Sequence, residues 1–237
     1  MTGNQTNAEA AAERLREAIL SGELQPGEKL HQNQVAEMLG VSRTPLRTAL
    51  SMLAQSGLVV YESNKGFHVR EYSPAHIRHA FVVRAELEAL ACKLAADNMT
   101  EERAEDLHNL VVEGDRLLAS ETLLPEHHAA YRQMNVSFHG NIMEYAANPW
   151  VKEMIDQIYN VPLISDRVII WKSREIFIRT HDDHHRIARA LANRDGARAS
   201  AIMREHVSFS IEYMLSQLQE HTDLAGSNHG KLHHIGL

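Results

Sequence analysis

A single cysteine, Cys92, is present in 237 residues. One thiol excludes an internal disulfide and fits a reducing compartment. Its surroundings, "LEALACKLAA", give it the role of a small core residue. No uninterrupted apolar run reaches the length of a membrane span, and the first residues, "MTGNQTNAEA", lack the basic-then-apolar order of an export signal. These absences predict a cytoplasmic protein with no membrane partner. Excess positive charge is also missing. A formal net charge of −7 argues against non-specific nucleic-acid binding by the molecule as a whole. The first 73 residues carry seven Lys/Arg against eight Asp/Glu, so this part is nearly neutral and most of the acidity lies downstream.

What is present is an ordered stretch from Gln32 to Arg70. Two short helical patterns meet at Leu39-Gly40-Val41, where Gly40 supplies the positive φ of a tight turn and Ser42 is placed to cap the second helix. Pro45 falls in that helix's first turn, where its missing N–H costs little. At 100° per residue, Leu46, Ala49, Leu50 and Leu53 gather on one side, while Arg43, Arg47, Thr44, Thr48 and Ser51 spread over the other. Leu58 to Tyr61 and Phe67 to Arg70 read as a hairpin with Glu62 to Gly66 at its tip, and Lys29-Leu30 as a short edge strand beside it. This is the outline of a winged helix-turn-helix with a small β-hairpin wing. Arginines four apart near a helix N-terminus suit phosphate oxygens and guanine edges in a major groove, and Lys65 and Gly66 at the tip can reach a neighbouring phosphate or minor groove. The same features also occur on solvated helices that only pack, so periodicity by itself leaves both readings open.

Upstream, Ala8 to Leu20 carries Leu15, Ala18 and Ile19 at helical spacing and ends at Ser21-Gly22. Downstream, Ser73 caps a helix with Pro74 in its first position. From there to about His221 the periodicity is helical, in segments near Pro74–Asn98, Thr100–Ser120, Pro125–Ala147, Pro149–Tyr159, Leu163–Asn193 (with a break near Trp171) and Asp195–Gln219. The expected fold is therefore mostly α: residues 1–72 a winged helix-turn-helix, residues 73–221 an all-helical bundle, and residues 222–237 a disordered tail.

The string from Leu15 to Val69, with Gly22-Glu23-Leu24, Pro26-Gly27, Gly40-Val41-Ser42-Arg43-Thr44-Pro45, Arg47 and Gly57-Leu58-Val59, resembles the DNA-binding domain of the GntR family of bacterial transcription regulators. The helical part resembles, more loosely, the effector-binding and dimerisation (FCD) domain of its FadR-type subgroup, through "VRAELEALACKLAA", "NVSFHGNIMEYAANP", "HHRIARALANRD" and "IMREHV". The resemblance implies a homodimer on a double-stranded operator. Ser42, Arg43, Thr44 and Arg47 match the operator-contacting positions and Lys65-Gly66 the wing tip. Asn33 stands where relatives often carry a basic residue at the start of the preceding helix.

Sixteen histidines are many for this length. The pairs His127-His128 and His233-His234 read as exposed polar positions or tail. By resemblance, Asn135, His139, His184 and His206 converge from three helices on a divalent metal: zinc, nickel, manganese or iron. Asn135 and His139, four apart, share a helix face. Many relatives have Asp at the position of Asn135, and an amide oxygen is the weaker ligand. His184 is chosen because it stands eleven residues before Asp195, with His185 the fallback, since one residue turns a side chain by about 100°. Arg84, on an otherwise apolar helix, either pairs with an acid such as Glu88 one turn on or snorkels to solvent. By resemblance it faces an effector cavity, where a guanidinium takes a carboxylate bidentately. The reading is a repressor, not an enzyme, controlled by a small organic acid with metal assistance. A metal-dependent enzyme acting on such an acid and a direct metal sensor are the alternatives.

Overall fold

A computed structural model describes residues 6–20, 23–119, 125–161, 164 and 173–226. The chain divides into two compact units, one built on residues up to Ile77 and one from Arg78 onward, except that Tyr159, Asn160, Val161 and Ile164 group with the first.

In the first unit, α1 (Asn7–Leu20), α2 (Gln32–Leu39) and α3 (Arg43–Gln55) pack on one another, followed by β1 (Val59–Glu62) and β2 (Gly66–Val69). Leu15, Leu46, Ala49, Leu50, Leu53 and Leu58 are fully enclosed at its centre, and Leu46, Ala49, Leu50 and Leu53 are the set that helical periodicity put on the inner face of α3. The α2–α3 junction is built as expected. Gly40 has φ +65°, and the Gly40 and Val41 amides donate to the Glu37 and Ala36 carbonyls, closing α2 with a paired C-terminal motif. Arg14 donates to the Leu39 carbonyl at 2.5 Å and so satisfies another end group of α2. Ser42 occupies the N-cap position of α3, yet its side chain makes no capping hydrogen bond. Its hydroxyl is exposed and water competes for it. The wing is an antiparallel pair with Tyr61 opposite Phe67, one residue later at its start than the hydrophobic run implied. Lys29 adds an isolated bridge to His68, the remnant of the expected edge strand.

The second unit holds α4 (Pro74–Asp97) from Arg78 onward, α5 (Glu101–Leu118), α6 (Pro125–Tyr145), α7 (Pro149–Ile158), α8 (Arg174–Ala192) and α9 (Gly196–Gly226). Ser73 Oγ accepts from the His76 amide, the cap read from the sequence, and Thr100 does the same for α5. Helix α8 packs against both α5 and α9, and α5 against α6. Helix α9 continues to Gly226, past the expected end near Gln219 and five residues into the expected tail, since Thr222-Asp223-Leu224-Ala225 contains no breaker. The Ser21-Gly22 helix stop, the break near Trp171, His233-His234 and residues 227–237 of the expected tail lie outside the described residues. No helix among the described residues is long and apolar enough to cross a membrane.

Candidate nucleic-acid interface and metal centre

Helix α3 exposes its two cations, Arg43 and Arg47. Arg43, Thr44 and Arg47 are exposed, while Leu46 and Leu50 are enclosed. Thr48 and Ser51 donate their hydroxyls to the Thr44 and Arg47 carbonyls, so these two offer only acceptor lone pairs. At the wing tip Asn64 (φ 72°) and Gly66 (φ 83°) take the left-handed conformation that reverses the strand. Lys65 rests on Glu62 at 2.7 Å, an exposed pair that a phosphate can readily exchange. An open hollow of about 390 Å³ is lined by Lys29, His31, Gln32, Asn33, Arg43, Lys65 and Gly66, with Leu30 and Phe67. Four of the residues singled out from sequence thus meet at one concavity: Asn33, Arg43, Lys65 and Gly66. Ser42, Thr44 and Arg47 lie along α3 outside it. Lys29, His31 and Gln32 were not singled out. The signal that could have found them was the bridge-forming Lys29-Leu30 segment, which carries its lysine alongside the wing.

In the second unit, charged and polar side chains are enclosed in number, which is costly unless each has a partner or a ligand. His139 on α6, His184 on α8 and His206 on α9 bring one nitrogen each to within 4.8 Å of one another. Their rings lie 4.8 Å (His184 to His206), 5.4 Å (His139 to His206) and 5.5 Å (His139 to His184) apart. Asn135, also buried, sits one turn before His139. His184 is the histidine of the adjacent pair that joins this group, and His185 turns instead to Asp115 on α5, with Nε2 2.8 Å from Oδ1.

Two carboxylates stand behind the imidazoles. Glu88, fully enclosed on α4, places Oε2 2.5 Å from His139 Nδ1 and takes the Arg84 guanidinium on Oε1, also at 2.5 Å. Arg84, only 7% exposed, therefore pairs and does not snorkel. Burial resists ionisation of Glu88, but the charges of Arg84 and His139 and their hydrogen bonds outweigh it and hold the carboxyl well below its ordinary value. Asp183 is enclosed between Arg179 and Arg186 and lies 3.8 Å from His206 Nδ1. Its burial is likewise more than offset by His206 and Arg179, and its pKa is lowered. Sequence reasoning named Glu88 only as a possible partner of Arg84 and missed Asp183, although "HDDHH" puts an acid beside the chosen histidine.

The donor set fits a divalent ion. His139 Nε2 and both ring nitrogens of His184 are buried without a hydrogen-bond partner among the described residues. Burial first, then the neighbouring histidines, push the His184 pKa well down, and burial lowers His206, so both rings are neutral ligands at pH 7. A carboxylate behind a histidine, as Glu88 is behind His139, fixes the tautomer and raises the basicity of the far nitrogen. His127 and His128, expected as exposed positions, are half-buried, and the His128 ring packs edge-on against Phe177 at 5.1 Å.

Comparison with known proteins agrees with this division. The family model "Bacterial regulatory proteins, gntR family" matches residues 7–69, and "FCD domain" matches residues 79–209. The chain belongs to the GntR family, in the FadR-type subgroup with an FCD domain. Among its GntR relatives, a transcriptional regulator in an unstable DNA locus of Streptomyces ambofaciens is 33% identical over 185 residues, covering 74% of this chain and 76% of that protein. The transcriptional repressor GlaR of Escherichia coli is 29% identical over 201 residues, 81% and 89% of the two chains. The solved structure of E. coli McbR/YncC superposes with a TM-score of 0.75 over 90% of this chain and 99% of that one, at 21% identity, a likeness of fold. The chain is thus a DNA-binding transcription regulator of the GntR family.

Proposed function

We propose that this regulator is a cytoplasmic homodimer and a repressor, whose hold on a double-stranded operator is set by a small carboxylate bound in the helical domain with the help of a divalent metal. Arg43 and Arg47 read base edges or phosphates from α3. Ser42 and Thr44 add hydroxyl contacts, and Asn33 with Lys65-Gly66 grips the flanking backbone. His139, His184 and His206 hold the metal, zinc, nickel, manganese or iron, with Asn135 as the fourth, weaker donor. An ion there supplies a Lewis-acidic anchor for a carboxylate oxygen. Arg84 takes the same ligand through its guanidinium, alongside or in place of Glu88. The observation that carries the reading is Glu88 itself. One buried carboxylate bridges Arg84 to His139, so the residue expected to take the acid and the residue expected to hold the metal share one group.

Such a ligand releases DNA only if it favours the arrangement that binds DNA poorly, and a coupling of about 1–3 kcal/mol gives a several-fold to hundredfold change. The test is a thermal-shift screen of small organic acids against metal-stripped and metal-loaded protein, followed by operator titration with any hit. Metal-dependent stabilisation by a carboxylate, with weakened operator binding, is expected. Release of the operator by metal alone replaces this reading with a direct metal sensor. Turnover of the acid replaces it with the enzyme.

A further inference from the structure

Outside the core cluster, α5 and α8 bring a second donor set together. His181 and His185 are four apart on α8 and so point the same way, toward Asp115 on α5. Asp115 Oδ1 lies 2.8 Å from His185 Nε2 and 3.3 Å from His181 Nε2, and the three donor atoms fall within 4.8 Å of one another. The Val111 carbonyl oxygen, one turn before Asp115, lies 3.1 Å from His181 Nε2. We propose that Asp115, His181 and His185 form a second divalent-metal site, of the zinc, nickel or cobalt class, distinct from the core cluster.

The geometry suits such an ion. Bonds of about 2.0–2.1 Å to nitrogen and oxygen in a tetrahedron separate neighbouring donors by roughly 3.3 Å. Small rotations of Asp115 and His185 reach that spacing, with Val111 O able to complete the set. Paired histidines at i and i+4 on one helix face are an established way of holding a metal rigidly. The fold also makes room for the imidazole. A Cβ on Gly114 would lie 2.1 Å from His181 Cε1 and 2.7 Å from its Nε2, so only glycine lets this ring lie against α5. His181 is enclosed and its Nδ1 has no hydrogen-bond partner among the described residues, so its polar contacts converge on the Nε2 end, where Asp115 waits.

Exposure gives the site a different character from the core. The Asp115 and His185 side chains are 49% and 36% exposed, whereas His139, His184 and His206 are all enclosed. An ion on the outer site exchanges with solvent, and one in the core exchanges slowly. The two are neighbours, with the His181 and His184 rings 5.6 Å apart on the same helix. Loading the outer site clamps α5 to α8, and α8 carries a core ligand. The outer site thus makes the rigidity of the core responsive to free metal.

The experiment uses the full chain, stripped with chelator and titrated with Co(II), reading stoichiometry by calorimetry and coordination by d–d absorption. Two equivalents per chain are expected for the parent protein, one tight and one at least tenfold weaker. Asp115→Asn and His185→Ala should each lose the weaker equivalent and keep the tight one. His139→Ala should do the reverse. Unchanged stoichiometry and affinities in Asp115→Asn and His185→Ala overturn the outer site, and a single equivalent lost only in His139→Ala does so while leaving the core reading intact. A single equivalent lost only in Asp115→Asn and His185→Ala supports the outer site and defeats the core. Asp115→Asn keeps a hydrogen-bonding group of the same shape, so a loss there reports on coordination and not on folding.

Discussion

His139 Nδ1 lies 2.5 Å from Glu88 Oε2, and both groups are enclosed by the bundle. A buried imidazole that gives one nitrogen to a carboxylate presents the other in a fixed direction, which is how metal-binding histidines are commonly held. Glu88→Gln retains the shape but loses the charge. It should lower metal affinity about 10- to 100-fold while leaving the helical content unchanged, as read by competition with a fluorescent chelator and by circular dichroism. Unchanged affinity would place Glu88 with Arg84 alone.

The same carboxylate sets a pH dependence. Its folded pKa is depressed below the ordinary 4.5, so the unfolded chain binds the proton more readily. Stability from this group is present above about pH 4.5 and is lost as pH falls through the depressed folded value. Metal-stripped protein should therefore lose urea resistance between pH 5 and pH 3 with a steeper slope than Glu88→Gln. Parallel slopes would remove Glu88 as the cause.

Arg84 cannot be deleted as cleanly as its helical position suggested. Removing it leaves Glu88 enclosed without the Arg84 charge, and breaking a buried pair from one side costs about 3–5 kcal/mol. Arg84→Ala should unfold at markedly lower urea, whereas the double variant Arg84→Met/Glu88→Leu should recover much of that loss. Loss of carboxylate response in Arg84→Ala, with operator binding and metal affinity kept, assigns Arg84 to the ligand, whereas loss in the double variant alone reports the metal site that Glu88 supports. A response that survives in the double variant removes Arg84 from that role.

How much of this was legible in the sequence differs by element. The α2–α3 turn was readable because one glycine and one apolar face are local signals, and α3 shows Leu46, Ala49, Leu50 and Leu53 enclosed as the periodicity required. The histidines were visible only through a family pattern, since nothing in spacing tells that residues from α6, α8 and α9 meet. The choice between His184 and His185 turned on 100° of helix rotation, and the two prove to face different partners. Lys29 was placed beside the wing in the expected edge strand, realised as a single bridge to His68, but nothing local marked it as a member of the hollow. Asp183 escaped notice because an acid within "HDDHH" reads as solvated until three-dimensional packing encloses it.

At the hollow beside the wing, Lys29 and Arg43 should differ in kind. Lys29 is a mobile point charge suited to phosphate, so Lys29→Ala should weaken operator and scrambled duplex about equally and reduce the salt slope by about one per half-site. Arg43 stands at the N-terminus of α3, from which base edges are reached. If it reads a guanine, Arg43→Ala costs about 1–3 kcal/mol on the operator and relaxes sequence preference. Fluorescence anisotropy on both duplexes at two salt concentrations separates these outcomes. Equal loss on both duplexes for Arg43→Ala would reassign it to the backbone.

Two glycines should fail on substitution for different reasons. Gly40 has φ +65° and nothing within 4 Å of an added Cβ, so Gly40→Ala meets only backbone strain, about 1–2 kcal/mol, offset in part by a stiffer unfolded chain. Gly114 has no such dihedral problem, and its added methyl would strike the His181 ring and Met134 Cε, 2.8 Å away. Overpacking of this sort costs about 1–3 kcal/mol and forces the ring to move. Gly40→Ala should therefore weaken the winged unit and leave metal stoichiometry alone. Gly114→Ala should weaken the helical unit and displace His181 from Asp115, taking the weaker metal equivalent with it. Hydrogen exchange localises each loss, and cobalt absorption reports the second. A Gly114→Ala protein that keeps both equivalents would mean that the ring is not held where its Nε2 serves as a ligand.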